Sequence, residues 1–175
     1  MSSLNAYLIG VLFFSAGFNA YRTDANSRET FSEMGWYMGA EYQFYTPHRL
    51  SISGLFDYAD LSPTMDKGIK DQLFQLGLSV DFSAIKNANN QFFVGGFLQM
   101  AFEGLVVSGL RTGYSRRLEF KGNRSAWFGL EFRLYYYTQD QFLDGINSSV
   151  GQERLPGDVM GTAALKFGLP IERKR

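Results

Sequence analysis

The sequence contains no cysteine, only four prolines and a single histidine among its 175 residues. The lack of cysteine excludes disulfides, thiolate metal sites and cysteine nucleophiles. Lysine plus arginine equals aspartate plus glutamate, at 17 each, so the overall charge points to neither nucleic acid nor anionic lipid. A run of about 18 or more apolar residues is also lacking, and a transmembrane helix is therefore not expected.

The N-terminal region offers neither a membrane helix nor an export signal. Its apolar stretch, Leu8 to Phe14, is too short to span a membrane as a helix. Met1 to Asn5 lacks the basic residues with which a secretory signal begins, so we expect that an export signal is not part of this sequence. The chain length suits one domain, and we assign residues 1–175 to a single domain.

What the sequence does contain is an alternation of apolar and polar residues with a period of two, which places two sets of side chains on opposite faces of a strand. Aromatic residues make up 17% of the chain and there are 19 glycines, a composition that favours strands over helices. In 125–138 the apolar face is Ala126, Phe128, Leu130, Phe132, Leu134 and Tyr136, and the opposite face is Trp127, Gly129, Glu131, Arg133, Tyr135 and Tyr137. The same split recurs in 33–45, 72–82 and 91–103.

Counting these segments predicts about eight strands, the smallest number usual for a transmembrane barrel. Their approximate spans are 5–22, 30–45, 48–61, 71–83, 90–104, 106–120, 124–138 and 158–170. The first is the least regular, and we expect a bulge or a partly buried entry segment there. Compact turns at 46–48, 85–89 and 121–124 alternate with longer polar stretches at 22–29, 62–70 and 139–157, and only the link after the fifth strand, near 103–108, departs from this by being short. Outer-membrane barrels have brief periplasmic turns and long extracellular loops, so both termini are predicted to be periplasmic.

The positions of the glycines distinguish a membrane barrel from a soluble barrel of lipocalin type, which would turn its apolar face inward around a ligand. On a solvent-exposed face glycine would only weaken a strand, whereas in a narrow barrel it makes room for large neighbours such as Tyr37, Phe97 and Arg133. We therefore favour the membrane barrel. The glycines on the charged face are Gly35, Gly39, Gly77, Gly95, Gly109, Gly113 and Gly129.

In strand number, connection lengths and interior charge, the chain resembles the small outer-membrane barrels typified by the transmembrane domain of outer-membrane protein A. The resemblance implies an all-β, closed antiparallel up-and-down barrel in the bacterial outer membrane, in contact with lipid and lipopolysaccharide. Such barrels commonly finish in a strand with a terminal aromatic residue. Here Phe167 lies in the last predicted strand but is followed by a basic segment, 170–175, which we interpret as a solvated tail.

The interior face is predicted to hold a network of paired charges, because a charge in a narrow lumen must be paired or hydrated. We interpret the network as a plug that fills the barrel, and the alternative is a polar pathway for ions or small solutes. Its predicted members are Glu33, Glu41, Asp57, Asp81, Glu103, Arg111, Arg117, Glu131, Arg133 and Lys166, with Arg49 sharing their phase.

The leading functional hypothesis is a non-enzymatic structural or interaction protein, with the segment Gln139 to Gly157 as its main contact surface and another outer-membrane or periplasmic protein as its partner. A narrow channel is the alternative. A lipid-modifying enzyme is less favoured, because His48 is predicted to lie in a turn at the periplasmic rim. No cofactor or metal is predicted, since the acidic residues of the connections lack EF-hand spacing.

Overall fold

The computed structural model describes residues 7–21, 33–44, 49–60, 72–101, 106–121, 124–137 and 159–173. The strands are β1 (Tyr7–Tyr21), β2 (Glu33–Phe44), β3 (Leu50–Asp60), β4 (Gln72–Lys86), β5 (Asn90–Ala101), β6 (Val106–Phe120), β7 (Arg124–Tyr137) and β8 (Val159–Arg173). Each pairs antiparallel with the next, and β8 pairs with β1 to close the sheet. The predicted eight-stranded antiparallel barrel is confirmed. Within the described ranges there is no helix of the length and hydrophobicity needed to cross a membrane.

Two strands extend beyond their predicted ends. β4 continues to Lys86, which shortens the turn predicted at 85–89 to 87–89. The side chain of Asn87 makes this tight turn possible, because its Oδ1 accepts hydrogen bonds from the backbone amides of Asn89 (3.0 Å) and Asn90 (2.7 Å). β8 continues past Pro170 to Arg173 and pairs there with β1, so the interpretation of 170–175 as a solvated tail is wrong for residues 170–173.

The bulge expected in β1 is confirmed and explains how β8 accommodates its proline. The register between β1 and β8 shifts between Leu8 and Gly10, and Pro170 is paired with Val11 next to that shift. A proline lacks an amide donor and is tolerated in sheets beside bulges and near strand ends.

The registers define the geometry of the closed barrel. Following paired residues once around the barrel from Val11 returns to β1 at Tyr21, ten residues further along the strand. A sheet that closes with such a stagger has strands tilted by about 35–45° from the barrel axis, and with eight strands its interior is just wide enough for side chains.

Around the middle of the barrel, apolar side chains face outward and charged side chains face inward. Leu98, Leu130 and Leu165 are 58%, 50% and 70% exposed, whereas Arg111 and Glu131 are each 1% exposed. This is the opposite of a soluble ligand-binding barrel, in which the apolar side chains line the interior. The lipocalin alternative is therefore wrong, and the outer surface is an apolar band of the kind that faces lipid.

Short and long connections lie at opposite ends of the barrel. The connections 45–49, 87–89 and 121–123 share one end with the start of β1 and the end of β8, which we call the short-turn end. The connections 22–32, 61–71, 102–105 and 138–158 lie at the other, the long-connection end. The prediction of alternating connection lengths is confirmed, including the short link after the fifth strand, which spans 102–105.

The outward position of Leu130 near the middle of β7 gives a test of the lipid-facing surface. We expect Leu130→Arg to lower the free energy of unfolding in lipid vesicles by about 2–4 kcal/mol, the cost of a cation facing the bilayer midplane. Leu118→Arg, on the same outer surface but near the short-turn end, is the control, with an expected cost of about 0–1 kcal/mol. Equal costs at the two positions, measured by urea titration, would contradict a bilayer around this surface.

Candidate functional site

Charged side chains from six strands meet in the middle of the barrel. They comprise four carboxylates and three bases, and each residue is at most 4% exposed. Charges at this depth are stable only when paired and hydrogen-bonded. We call the group the ionic core, and its members are Glu41, Asp57, Asp81, Arg111, Glu131, Arg133 and Lys166.

Arg111 is the centre of the ionic core. Its guanidinium donates to both oxygens of Asp81, with Nε–Oδ1 and Nη2–Oδ2 distances of 2.7 Å. It also donates to both oxygens of Glu41, at 3.1 Å from Nη1 and 2.7 Å from Nη2, and Nη1 lies 3.4 Å from Glu131 Oε1. One planar fork therefore holds carboxylates from β2, β4 and β7, a geometry that arginine provides and lysine does not.

Arg133 and Lys166 extend the network around the remaining wall. Arg133 donates from Nε to Glu131 and from Nη1 to Asp57. Lys166 Nζ pairs with Glu41 and lies 2.9 Å from Glu131 Oε2. Glu131 thus contacts all three bases, while Glu41 bridges Arg111 and Lys166. The ion pairs join strands that are distant in sequence and tie opposite walls of the barrel together.

Neutral donors compensate for the one carboxylate in excess, and an aromatic ring lies against one of the bases. Asp57 has a single basic partner but also accepts a hydrogen bond from Tyr37 Oη at 2.6 Å and another from Gln99 Nε2. Lys166 Nζ lies 4.3 Å from the centre of the Phe13 ring, within range of a cation–π interaction. Through these contacts, the buried charges are paired with protein groups and not with solvent.

Glycines provide the space that these large side chains occupy, as predicted. A Cβ atom at Gly39 would lie 2.6 Å from Asp57 Oδ1 and would also collide with Tyr37 Oη. A Cβ at Gly109 would overlap the ring of Phe97. Alanine at either position would therefore displace a side chain of the filled interior.

On either side of the ionic core, most of the described inward residues are uncharged; near the short-turn end, Arg117 is half-buried and Glu119 is exposed at the rim. Toward the long-connection end lies an apolar cap, formed by Leu55, Ala59, Leu73, Phe97, Ala101, Val107, Tyr135 and Met160. Toward the short-turn end lies a layer of amides and hydroxyls, in which Gln43 donates to Ser51 Oγ and Gln91 donates to Ser83 Oγ, both at 3.1 Å. The barrel is therefore filled through its height by three layers of different chemistry.

The structure places the predicted interior residues in three groups. Seven of the ten form the ionic core. Arg117 is only half-buried, near the short-turn end, and Arg49 is exposed in the bend before β3, so its assignment to the interior is wrong. The side chain of Glu33, and Glu103 and His48 entirely, lie outside the described residues.

The apolar cap is the part of the interior that the sequence interpretation found only in part. Phe97 and Tyr135 were placed on the interior face, but Leu73 and Val107 were not. The strand alternation could have identified the apolar cap, because residues two apart on a strand lie on the same face. Leu73 is two residues from buried Gln75, and Leu55 is two residues from Asp57. In the parts of the chain that the structure covers, no cluster of three or more acidic, histidine or cysteine residues has metal-binding geometry.

Comparison with known proteins supports the fold. No protein-family model matches the chain, and no curated protein sequence matches it. Among solved structures, the crystal structure of Neisserial surface protein A (NspA) superposes with a TM-score of 0.55 and 11% sequence identity, over 95% of this chain and 99% of that chain. The chain thus has the fold of the small eight-stranded outer-membrane barrels, as its resemblance to them implied.

The contacts of Glu131 generate a prediction about stability. Glu131→Ala removes the carboxylate that touches all three bases, and breaking buried pairs in this way typically costs about 3–5 kcal/mol. Leu134→Ala on the same strand removes an outward side chain that is 47% exposed, so surrounding lipid or detergent fills the gap and the cost is smaller. Urea unfolding of the detergent-folded proteins compares the two midpoints. A Leu134→Ala midpoint equal to or below that of Glu131→Ala would contradict the assigned faces.

Proposed function

We propose that the protein is a non-enzymatic structural or interaction protein of the bacterial outer membrane. In this proposal the barrel is a sealed anchor that carries contact surfaces at its ends. The filled interior is the observation that carries the proposal, because a barrel without an internal passage has neither a lumen for solutes nor a pocket for a substrate.

The outer surface supports the location. Exposed large apolar residues occur on all eight strands, and they alternate with the buried polar side chains of the interior. A soluble monomer rarely exposes contiguous apolar patches beyond a few hundred Å². A bilayer is the environment in which this surface is stable, and a closed barrel is the form in which strands cross one.

The arrangement of the connections supports an orientation. Short periplasmic turns and longer extracellular loops are usual in outer-membrane barrels. By this rule the short-turn end, with the start of β1 and the end of β8, faces the periplasm, and the connections at the other end face outward.

The longest connection supplies the proposed contact surface. The segment 138–158 includes apolar residues, Phe142, Leu143, Ile146 and Val150, among polar ones. Apolar residues in a surface connection are a common means of binding another protein. The proposed partner is another protein of the cell envelope.

A narrow channel for ions or small solutes is the second candidate, because the ionic core would line a polar path. Two features oppose it. The three bases of the core are each bound to at least two carboxylate groups, so no charged side chain among them stands open to a passing ion. The apolar cap, with Val107 and Met160 at 0% exposure, would have to open as well.

Conductance in planar bilayers tests the sealed anchor against the channel. We expect the purified full-length protein, inserted into a bilayer, to give no stable single-channel openings, because charge pairs and the apolar cap fill the lumen. A porin measured in the same bilayers verifies that openings are detectable. Reproducible openings of one size would establish the channel and contradict the sealed interior.

Crosslinking in the outer membrane tests the contact surface. We expect a partner protein to be captured by the wild-type chain and to be lost from a variant with Phe142→Ser and Leu143→Ser, because these changes remove apolar contact area without altering the barrel. Leu76→Ser, on the outward face of β4, is the matched control and should retain the partner. Undiminished capture by the double variant would contradict this segment as the contact surface.

A further inference from the structure

The overall charge balance of the chain conceals a separation of charge between the two ends of the barrel. The connections at the long-connection end contain nine acidic and five basic residues. Those at the short-turn end contain Arg49 and Lys121 and no acidic residue. Among the described residues next to those turns, Lys86, Arg116, Arg117 and Arg124 are basic and only Glu119 is acidic. The zero net charge therefore does not exclude an anionic partner at the short-turn end.

Four of these cations belong to one hairpin, β6–β7, and Arg117 is the one of them whose phase is inward. Arg116 and Arg124 share the outward face of the hairpin, and Lys121 lies in the turn between its strands. Arg124 is paired with Phe120, four residues along β6 from Arg116, so the two arginines are spaced by about 14 Å along the strand. We call Arg116, Lys121 and Arg124 the basic hairpin end.

The basic hairpin end is exposed and lacks counter-charges. All three side chains are exposed, and no ion pair connects them to another residue within the described ranges. Glu119 is the acidic residue next to them; it is also exposed, but its phase in β6 places it on the opposite face from Arg116, and no ion pair joins it to the three cations within the described ranges. Cations left unpaired in this way are available to an external anion.

The neighbours of these cations define the environment of that anion. Leu118 and Phe120, which are 38% and 51% exposed, lie between Arg116 and Arg124 on the same outward face. Beyond Arg116 lies Tyr114, whose hydroxyl donates to Asn90 Oδ1 at 2.6 Å. A tyrosine with an apolar body and a hydrogen-bonded tip, beside arginines on apolar surface, is the composition of a membrane–water interface.

We propose that the basic hairpin end binds the phosphate groups of anionic phospholipids in the leaflet around the short-turn end. This inference rests on the proposed membrane location of the barrel. Arginine binds phosphate through paired N–H donors, and basic residues near an anionic membrane surface attract its lipids. The lipid chains would lie along the outward apolar residues of β6 and β7, while the headgroups meet the cations.

A lipid fits this surface better than an acidic protein does. The cations alternate with exposed apolar residues along the strands instead of forming a separate polar patch above them. A soluble acidic partner would have to cover Leu118 and Phe120 together with the arginines, at the depth where the bilayer begins. A phospholipid supplies both the anion and the apolar contact in one molecule.

The experiment measures which lipids the full chain retains. The protein is folded into vesicles of phosphatidylcholine alone or mixed with phosphatidylglycerol, extracted in mild detergent, and its bound lipids are counted by native mass spectrometry. We expect wild type to retain phosphatidylglycerol over phosphatidylcholine, and the variant Arg116→Ala/Lys121→Ala/Arg124→Ala to lose this preference roughly tenfold. Raising the salt concentration should weaken the preference of wild type, since exposed charges are screened.

A control with the same loss of charge separates this site from net charge. The variant Lys67→Ala/Lys70→Ala/Arg154→Ala removes three bases from the long-connection end and should retain phosphatidylglycerol as wild type does. Equal retention of both lipids by wild type, or equal losses in the two triple variants, would overturn the proposal. No lipid preference together with crosslinking of Lys121 to a periplasmic protein would instead assign the surface to an acidic protein partner. Failure to insert into either vesicle would contradict the proposed membrane location itself.

Discussion

The pairing of β1 with β8 is the interaction on which the rest of the structure depends. It removes both edges of the sheet, so the backbone of every strand has a neighbour on each side. With eight strands and a stagger of ten residues, it also fixes an interior that side chains must fill. The narrow interior also explains the glycines. Gly39 and Gly109 have no side chain, and Tyr37 and Phe97 occupy the space that a side chain would take.

The ionic core follows from the same closure, because its seven charges lie at a depth where they are at most 4% exposed to solvent. Buried ion pairs are weak contributors to net stability, since desolvation offsets most of their attraction. Their larger effect here is on register. A slip of one residue in any strand would exchange its faces, placing Glu131 or Arg133 against the surroundings and Leu130 in the core. The energetic penalty for that exchange makes the observed register the favoured one.

Most of the fold could be predicted from the sequence, because a period of two separates the faces over long strands. Strand ends were harder: β4 continues to Lys86 because the Asn87 side chain closes a tighter turn than the polar run suggested. The members of the ionic core could also be predicted, because the strand alternation places them on the inward face. Their pairing could not be predicted, since Glu41 and Arg111 are brought together only by register and closure around the whole barrel. The apolar cap could be predicted only by assigning inward positions from the strand alternation, even where the residue at such a position is apolar.

The two seals of the interior act in series, and this bears on what the barrel does. An ion arriving from the long-connection end meets Leu73, Val107 and Met160 first, and an apolar constriction offers nothing to replace its hydration shell. An ion arriving from the short-turn end meets the ionic core, where each basic group is already bound to carboxylates. Opening one layer leaves the other closed. The chemical differences between the two ends of the barrel therefore matter for molecules that contact it from outside. For this reason the proposed function is assigned to the connections and the rim, and not to the lumen.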